Sequence, residues 1–218
     1  MLKKYGFIAV FLGLLIPVIW LFVLWQSKVV SSKLPIFGEK TASSNIPGDT
    51  IYHTISDFAF IDQLGDSISN KDFDGSVYVA NFFFTSCPDI CPSMMRNLKL
   101  VYEKYKEAPN VKFISHTVDP KRDSVIALYE YAQNLDAKPK KWFLVTGAKS
   151  DLYYAGEYDY LLATVEGDME NAFIHSEKLV LIDKEKRIRG FYDGTNYSEV
   201  KLLIEDIKAL LSEYRNGK

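Results

Sequence analysis

The chain has 218 residues, room for one ordinary domain plus a modest extra but not for two full catalytic domains. Lys and Arg number 26 against 28 Asp and Glu, so the formal charge of −2 offers no electrostatic footprint for nucleic acid. Hydrophobic residues at 48% and charged residues at 25% exclude a disordered or collagen-like chain, and two cysteines exclude a disulfide scaffold or a four-cysteine zinc site.

A mean hydropathy of −0.06 averages over a strongly polarised N-terminus. Phe7 to Trp25 is nineteen residues without a charge, flanked by Lys3 and Lys4 on one side and Lys28 on the other. As a helix the run spans about 28 Å, close to the hydrocarbon thickness of a bilayer. Gly13 and Pro17 are tolerable in a membrane helix, and Trp20 and Trp25 sit towards one end, where aromatic belts form. A cleaved signal peptide is the rival reading. The run is longer than a usual signal core, however, and Trp25-Gln26-Ser27-Lys28 lacks a small-x-small cleavage site. No cysteine closely follows it, which argues against a lipoprotein anchor. Residues 1–27 therefore read as an uncleaved single-pass anchor. Orientation rests on a thin margin, Lys3 and Lys4 against Lys28 and Lys33, and on the short N-terminal side. It predicts an inner (cytoplasmic) membrane protein with its soluble domain on the extracytoplasmic, periplasmic side.

Residues 28–48 carry Ser31-Ser32, Pro35, Gly38, Ser43-Ser44 and Pro47-Gly48 without sustained periodicity, and read as a tether. Residues 49–218 read as the domain. Val77 to Phe84 is β-branched, aromatic and almost continuously apolar, as a strand buried on both faces should be. A helical stripe follows over 93–106, with Met94, Met95, Leu98, Val101, Tyr102 and Tyr105 on one face. Val111 to Val118 predicts a second strand, Asp123 to Asn134 a helix capped by Asp123 or Ser124, and Trp142 to Thr146 a third strand. Leu179 to Asp183 and Ile188 to Tyr192 flank a Lys184-Glu185-Lys186 turn, a hairpin pattern. An apolar face from Val200 to Tyr214 predicts a last helix over about 197–215. Strand–helix–strand, then strand–hairpin–helix, predicts an α/β fold of thioredoxin-like arrangement.

Chemistry concentrates where the first strong strand meets its helix, in Thr85-Ser86-Cys87-Pro88-Asp89-Ile90-Cys91-Pro92. Open α/β sheets place sites at the carboxyl ends of their strands. Cys87 and Cys91 are four apart, so in a first helical turn both thiols can face the same way. Pro88 and Pro92 suit such a turn, where the N–H groups they lack have no helical partner anyway. A helix N-terminus also favours thiolate over thiol. Thioredoxin-type oxidoreductases use one residue fewer between their cysteines, whereas two thiolates at this spacing suit a soft metal such as Cu(I). Two thiolates rarely complete a site, so a third ligand is sought among His53, His116 and His175. His53 follows the tether and reads as exposed; His116 lies within a strand and reads as a core or rim residue; His175 sits in a loop-like stretch before the hairpin. Met94 and Met95 fall on the helical stripe and read as core.

Three segments together resemble the Sco/SenC copper-chaperone family: FFFTSCPDICPSM (82–94), TVDPKRDS (117–124) and FIHSEKLVLIDKEKRIRGFYDGT (173–195). The resemblance runs over about residues 49 to 215. It implies a thioredoxin-like domain, commonly tethered by an N-terminal membrane helix, that binds copper and assists assembly of the binuclear copper centre of cytochrome c oxidase. It further implies Cys87, Cys91 and His175 as the metal ligands. Asp119 of the Val-Asp-Pro motif reads as a supporting group, a partner-recognition group or a loop cap, and Asp89 as a charge at the site or a solvated first-turn carboxylate.

The leading expectation is a membrane-tethered copper metallochaperone, holding Cu(I), with Cu(II) open to it on adding an oxygen ligand. Its partners would be a copper-receiving subunit of cytochrome c oxidase, a copper donor and a thiol reductase. The alternative is a thiol–disulfide reductase acting on the cysteines of a partner copper site, which needs Cys87 and Cys91 but not His175. A membrane-anchored binding module without redox or metal role is a further class. A peroxidase is disfavoured because no cysteine exists outside the pair.

Overall fold

The computed structural model describes residues 15–16, 20, 33–42, 50–162 and 176–216. The chain divides into Met1–Lys33 and Leu34–Lys218. In the first unit Leu15, Ile16 and Trp20 are helical and exposed, and the rest of the expected anchor lies outside the described residues. Among the described residues no helix is long and apolar enough to cross a membrane.

The second unit is built on a strand buried along its whole length, β5 (Val77–Phe83). Four shorter strands precede it: β1 (Lys40–Ala42), β2 (Thr50–Tyr52), β3 (Ala59–Asp62) and β4 (Ser67–Ser69). Helix α1 (Ile90–Tyr105) then leads to β6 (Val111–Thr117), and α2 (Val125–Leu135) to β7 (Trp142–Thr146). A short helix α3 (Lys149–Tyr154) runs on as a π turn over Ala155–Asp159. The hairpin β8 (Lys178–Ile182) and β9 (Ile188–Asp193) and helix α4 (Tyr197–Asn216) complete the unit. The seven-stranded sheet has the order β4-β3-β7-β6-β5-β8-β9. The β5–β6 and β6–β7 pairs are parallel; the others are antiparallel. The expected strand and helix order is therefore present. The short strands β1 to β4 and helix α3, of three to six residues each, carry too few residues to show a period.

Alternation along the strands divides the core in two. Val77, Val79, Phe83, Phe113, Trp142, Leu144, Leu179 and Leu181 face α1, α2 and α4. Tyr78, Ala80, Phe82, Ile114, Phe143, Val145, Val180 and Ile182 face α3, its π turn and the 55–73 segment. The first face buries one polar thread. Trp142 Nε1 donates to Ser115 Oγ at 2.9 Å, Ser115 Oγ donates to Asn81 Oδ1 at 2.6 Å, and Asn81 Nδ2 donates to Met95 Sδ at 3.2 Å. Each link satisfies a group that would be costly to bury alone. Met94 and Met95 are 0% and 1% exposed, core residues as their spacing predicted.

Within the stretch read as a tether, Leu34–Ala42 packs on the domain. Phe37 N–H donates to Ile188 O, and its ring meets Phe191 edge-on at 5.3 Å. Gly38 has φ +94°, and a Cβ there would lie 2.4 Å from His53 Cβ, so glycine is required on both counts. The fastening is Arg189, whose side chain is 3% exposed. It donates to Pro35 O (3.0 Å), Leu34 O (2.7 Å), Asp183 Oδ2 (3.1 Å) and Glu213 Oε2 (2.9 Å). One guanidinium thus joins the N-terminal segment, the hairpin and α4. Because β9 runs parallel to β5 through β8, this clamp at the start of β9 lies at the end of the sheet opposite the β5 carboxyl end. Removing one partner of a buried ion pair strands the other. Arg189→Met should therefore lower the unfolding free energy by about 3 kcal/mol or more, read by urea denaturation, and open the 34–37 segment to limited proteolysis.

On the second face His116 is a core histidine, 0% exposed, stacked on Phe82 at 4.6 Å and edge-on to Phe60 and Tyr160. Neither ring nitrogen has a hydrogen-bond partner of normal geometry. Burial drives its pKa down to about 3 against a small compensation from the Asn81 main chain. Above the unfolded value of about 6.5 both states are neutral. Below it the unfolded chain takes up a proton that the folded chain refuses until about pH 3, so stability falls with pH across that window. Relative to His116→Phe, the wild type should lose about 2 kcal/mol between pH 6.5 and pH 5, measured by urea unfolding at each pH. Parallel pH profiles would show that the ring is not held neutral.

Candidate metal centre

Strand β5 ends at Phe83, and the next six residues form the loop that carries Cys87. Helix α1 begins at Ile90, earlier than the stripe predicted, which puts Cys91 in its first turn and leaves Cys87 and Pro88 before it. Pro92 occupies the third helical position, where its missing N–H costs no helical bond. Cys87 is half-buried and Cys91 buried, and both are free thiols. Each thiol acts on the other's acidity, and both belong to the same core cluster, Cys91 buried within it and Cys87 packed against it. The i,i+4 expectation of facing thiols is met, though by a loop and a helix start rather than by one helical turn.

The two thiols are electrostatically unequal. Burial opposes ionisation of Cys87, but the Cys91 thiol and the main-chain N–H groups of Asp89, Ile90 and Cys91 outweigh it and hold the Cys87 pKa below its ordinary value. Cys91 is pushed up to about 12, first by burial and then by the Cys87 sulfur beside it. Tyr131 on α2 is pushed up to about 12 by burial and by the charges of Cys91, Cys87 and Asp123, which places all four groups at one end of the sheet.

Of the two caps that the sequence allowed for α2, Ser124 is the one used, and Asp123 has another role. The cap of α2 is Ser124, whose Oγ accepts from Ala127 N–H at 3.3 Å, while Asp123 turns inward and is 0% exposed. It accepts from Thr85 Oγ1 at 2.5 Å, from Thr85 N–H at 3.2 Å and from the Thr117 hydroxyl. Asp119 is 9% exposed and pairs with Arg122 at 3.7 Å, and its carbonyl accepts from Arg122 and Asp123 N–H, a turn-capping role. Asp89 is exposed and precedes α1 without a capping hydrogen bond. The signal for Asp123 and Tyr131 was absent from spacing, because it depends on Phe83 pairing with Thr117 across β5 and β6.

Of the histidines, His116 is in the core. His53 is half-buried, not exposed, with Nε2 2.7 Å from Asp159 O. His175 lies outside the described residues. The next residue, Ser176, is buried and leads into β8, whose register with β5 (Ala80 opposite Val180, Tyr78 opposite Ile182) starts that strand at the cysteine end. Among the described residues no group of three His, Cys, Asp or Glu side chains could hold a metal.

The SCO1/SenC family model matches residues 48–212. The chain belongs to the SCO1/SenC family. A SCO2-like protein of Rickettsia typhi is 33% identical over 149 residues, 66% of this chain and 72% of its own length. BsSco, described as a Sco-family cytochrome c oxidase assembly protein with a disulfide switch, superposes with a TM-score of 0.62 at 26% identity, covering 72% of this chain and 93% of that one. Arabidopsis thaliana ScoI with copper bound gives a TM-score of 0.57 at 25% identity, covering 70% and 97%. These SCO1/SenC structures share the mixed α/β, thioredoxin-like architecture.

The thiol asymmetry has a direct readout. Treated with limiting iodoacetamide near pH 7.5, the reduced protein should be alkylated at Cys87 at least about tenfold faster than at Cys91, because the thiolate is the reacting species. Peptide mass spectrometry assigns the site, and equal labelling of both would contradict the asymmetry.

Proposed function

We propose that this SCO1/SenC protein is a membrane-tethered copper metallochaperone that passes copper to a copper-receiving subunit of cytochrome c oxidase. Cys87 and Cys91 hold the metal as thiolates and His175 closes the site as a neutral imidazole. The observation that carries the reading is the pair of free, mutually interacting thiols at the start of α1, in a family with a copper-bound member. Thiolates are soft ligands and select Cu(I) over hard cations; Cu(II) would need an added oxygen ligand. The main-chain N–H groups at the start of α1 offset the negative charge of Cys87. Binding of the cation then removes the penalty that keeps the Cys91 thiol protonated.

Two cysteines and one histidine leave copper under-coordinated, so an incoming partner ligand can enter before an old one leaves. That suits a carrier and would weaken a storage site. The N-terminal segment 1–27 acts as the anchor in this reading, with the domain on the extracytoplasmic side. The Arg189 clamp fastens Leu34 and Pro35 at the end of the sheet opposite the cysteines, which leaves the cysteine end unobstructed by that segment.

A second reading is supported by the split thiol pair. A more acidic, half-buried Cys87 and a buried, protonated Cys91 have the form of an attacking and a resolving thiol, which fits reduction of a partner's disulfide. The two functions share both cysteines and differ in their use of His175. Metal analysis of the reduced protein loaded with Cu(I) without oxygen should find one copper per chain. His175→Ala should weaken retention against a Cu(I) chelator by about tenfold or more while alkylation of Cys87 stays at the wild-type rate. No bound copper, alongside rapid turnover of disulfide substrates, would leave the reductase reading alone standing.

A further inference from the structure

Asp123 is a fully buried carboxylate, and among the described residues no cation pairs with it. Its nearest charged neighbour in sequence, Arg122, is 75% exposed and turns to Asp119 instead. An ionised carboxylate in such a place is tolerated only when hydrogen bonds replace its water. Here they come from the Thr85 hydroxyl, the Thr85 main chain and the Thr117 hydroxyl. These donors lie at the carboxyl ends of the two central parallel strands. Thr85 stands two residues before Cys87, whereas Thr117 ends β6 and Asp123 belongs to the connection between β6 and α2. The loop from Ser86 to Asp89 is otherwise open to solvent at Ser86, Pro88 and Asp89, and Cys87 N–H makes only a local turn bond to Phe84 O at 3.2 Å.

We propose that Asp123 is a positioning residue of the dithiol: by holding Thr85 at both its hydroxyl and its main chain, it fixes the loop so that Cys87 stays beside Cys91. The inference deepens the functional reading above, since it takes Cys87 and Cys91 as the working pair. It differs from a stabilising role in the core because the group it orders is the mouth of the site. Two sulfurs held together favour closing to a disulfide, and two thiolates held together favour chelation. Loosening Thr85 should weaken both.

The test uses the full chain with Asp123→Asn, Thr85→Val and Thr85→Ser. Valine keeps the shape of threonine and removes only the hydroxyl donor, leaving Asp123 itself unchanged; serine restores that donor. Each protein is equilibrated with glutathione, in which the dithiol and oxidised glutathione give the intramolecular disulfide and two reduced glutathiones. In Asp123→Asn and Thr85→Val the equilibrium should move about tenfold towards the dithiol, about 30 mV for a two-electron couple. Thr85→Ser should return to the wild-type value. Cu(I) loss to a chelator should accelerate about tenfold in the same two variants. Thermal melts establish that each is folded, and if Asp123→Asn is not, the valine and serine pair decides. A folded Thr85→Val with the wild-type glutathione equilibrium would overturn the positioning role. A wild-type chain that takes up no copper would instead overturn the carrier reading, and the glutathione measurement would still judge Asp123.

Discussion

The structure depends on one strand that is buried from end to end. Val77–Phe83 is buried at every position, so each of its polar main-chain groups must find a partner within the protein, and β6 and β8 supply them on either side. That requirement determines what stands at its carboxyl end. Parallel pairing brings Thr117 beside Phe83, and antiparallel pairing starts β8 at the same place. The cysteine loop therefore emerges between the 117–124 connection and the approach to β8. Three segments far apart in the chain meet because one strand has to be covered on both edges.

Around this strand the interior uses polar groups in two ways. The thread from Trp142 through Ser115 and Asn81 to Met95 satisfies each member across three elements, and it ties the α1 interior to the strand beside it. The Arg189 clamp is ionic and buried, and its value lies in specificity as much as in stability. A hydrophobic replacement could pack there, but only a guanidinium can gather two main-chain carbonyls, Asp183 and Glu213 at once. His116 is the opposite case, an imidazole kept neutral by its aromatic surroundings.

At the site the same physics yields unequal thiols. Cys87 stands in front of the helix, where main-chain N–H groups point at it, and Cys91 stands within the first turn, against the core. A difference of one helical turn in position becomes a large difference in acidity. Such a pair is suited to binding a cation, which stabilises both sulfurs as thiolates, and to thiol exchange, which needs one sulfur charged and the other protonated.

Much of the architecture was legible in the amino-acid sequence. The long elements announced themselves by period: the apolar run of β5, the stripes of α1 and α4, and the β8–β9 hairpin around its Lys184-Glu185-Lys186 turn. The cysteine pair was legible because it is the chain's only cysteine content, set at a strand-to-helix junction, and the resemblance of three motifs pointed to the family. Strands of three or four residues were not legible, nor was the packing of Leu34–Ala42, since turn-forming composition looks the same whether a segment is free or clamped. Local sequence determined which residues bear the chemistry, because residue type and spacing are local properties. Only the tertiary structure decided that Asp123 faces inward to Thr85 rather than capping α2, that Tyr131 stands beside both thiols, and that Cys87 and Cys91 differ in acidity. Each of those outcomes depends on burial and on neighbours delivered by strand pairing, and neither exists until the sheet has closed around β5.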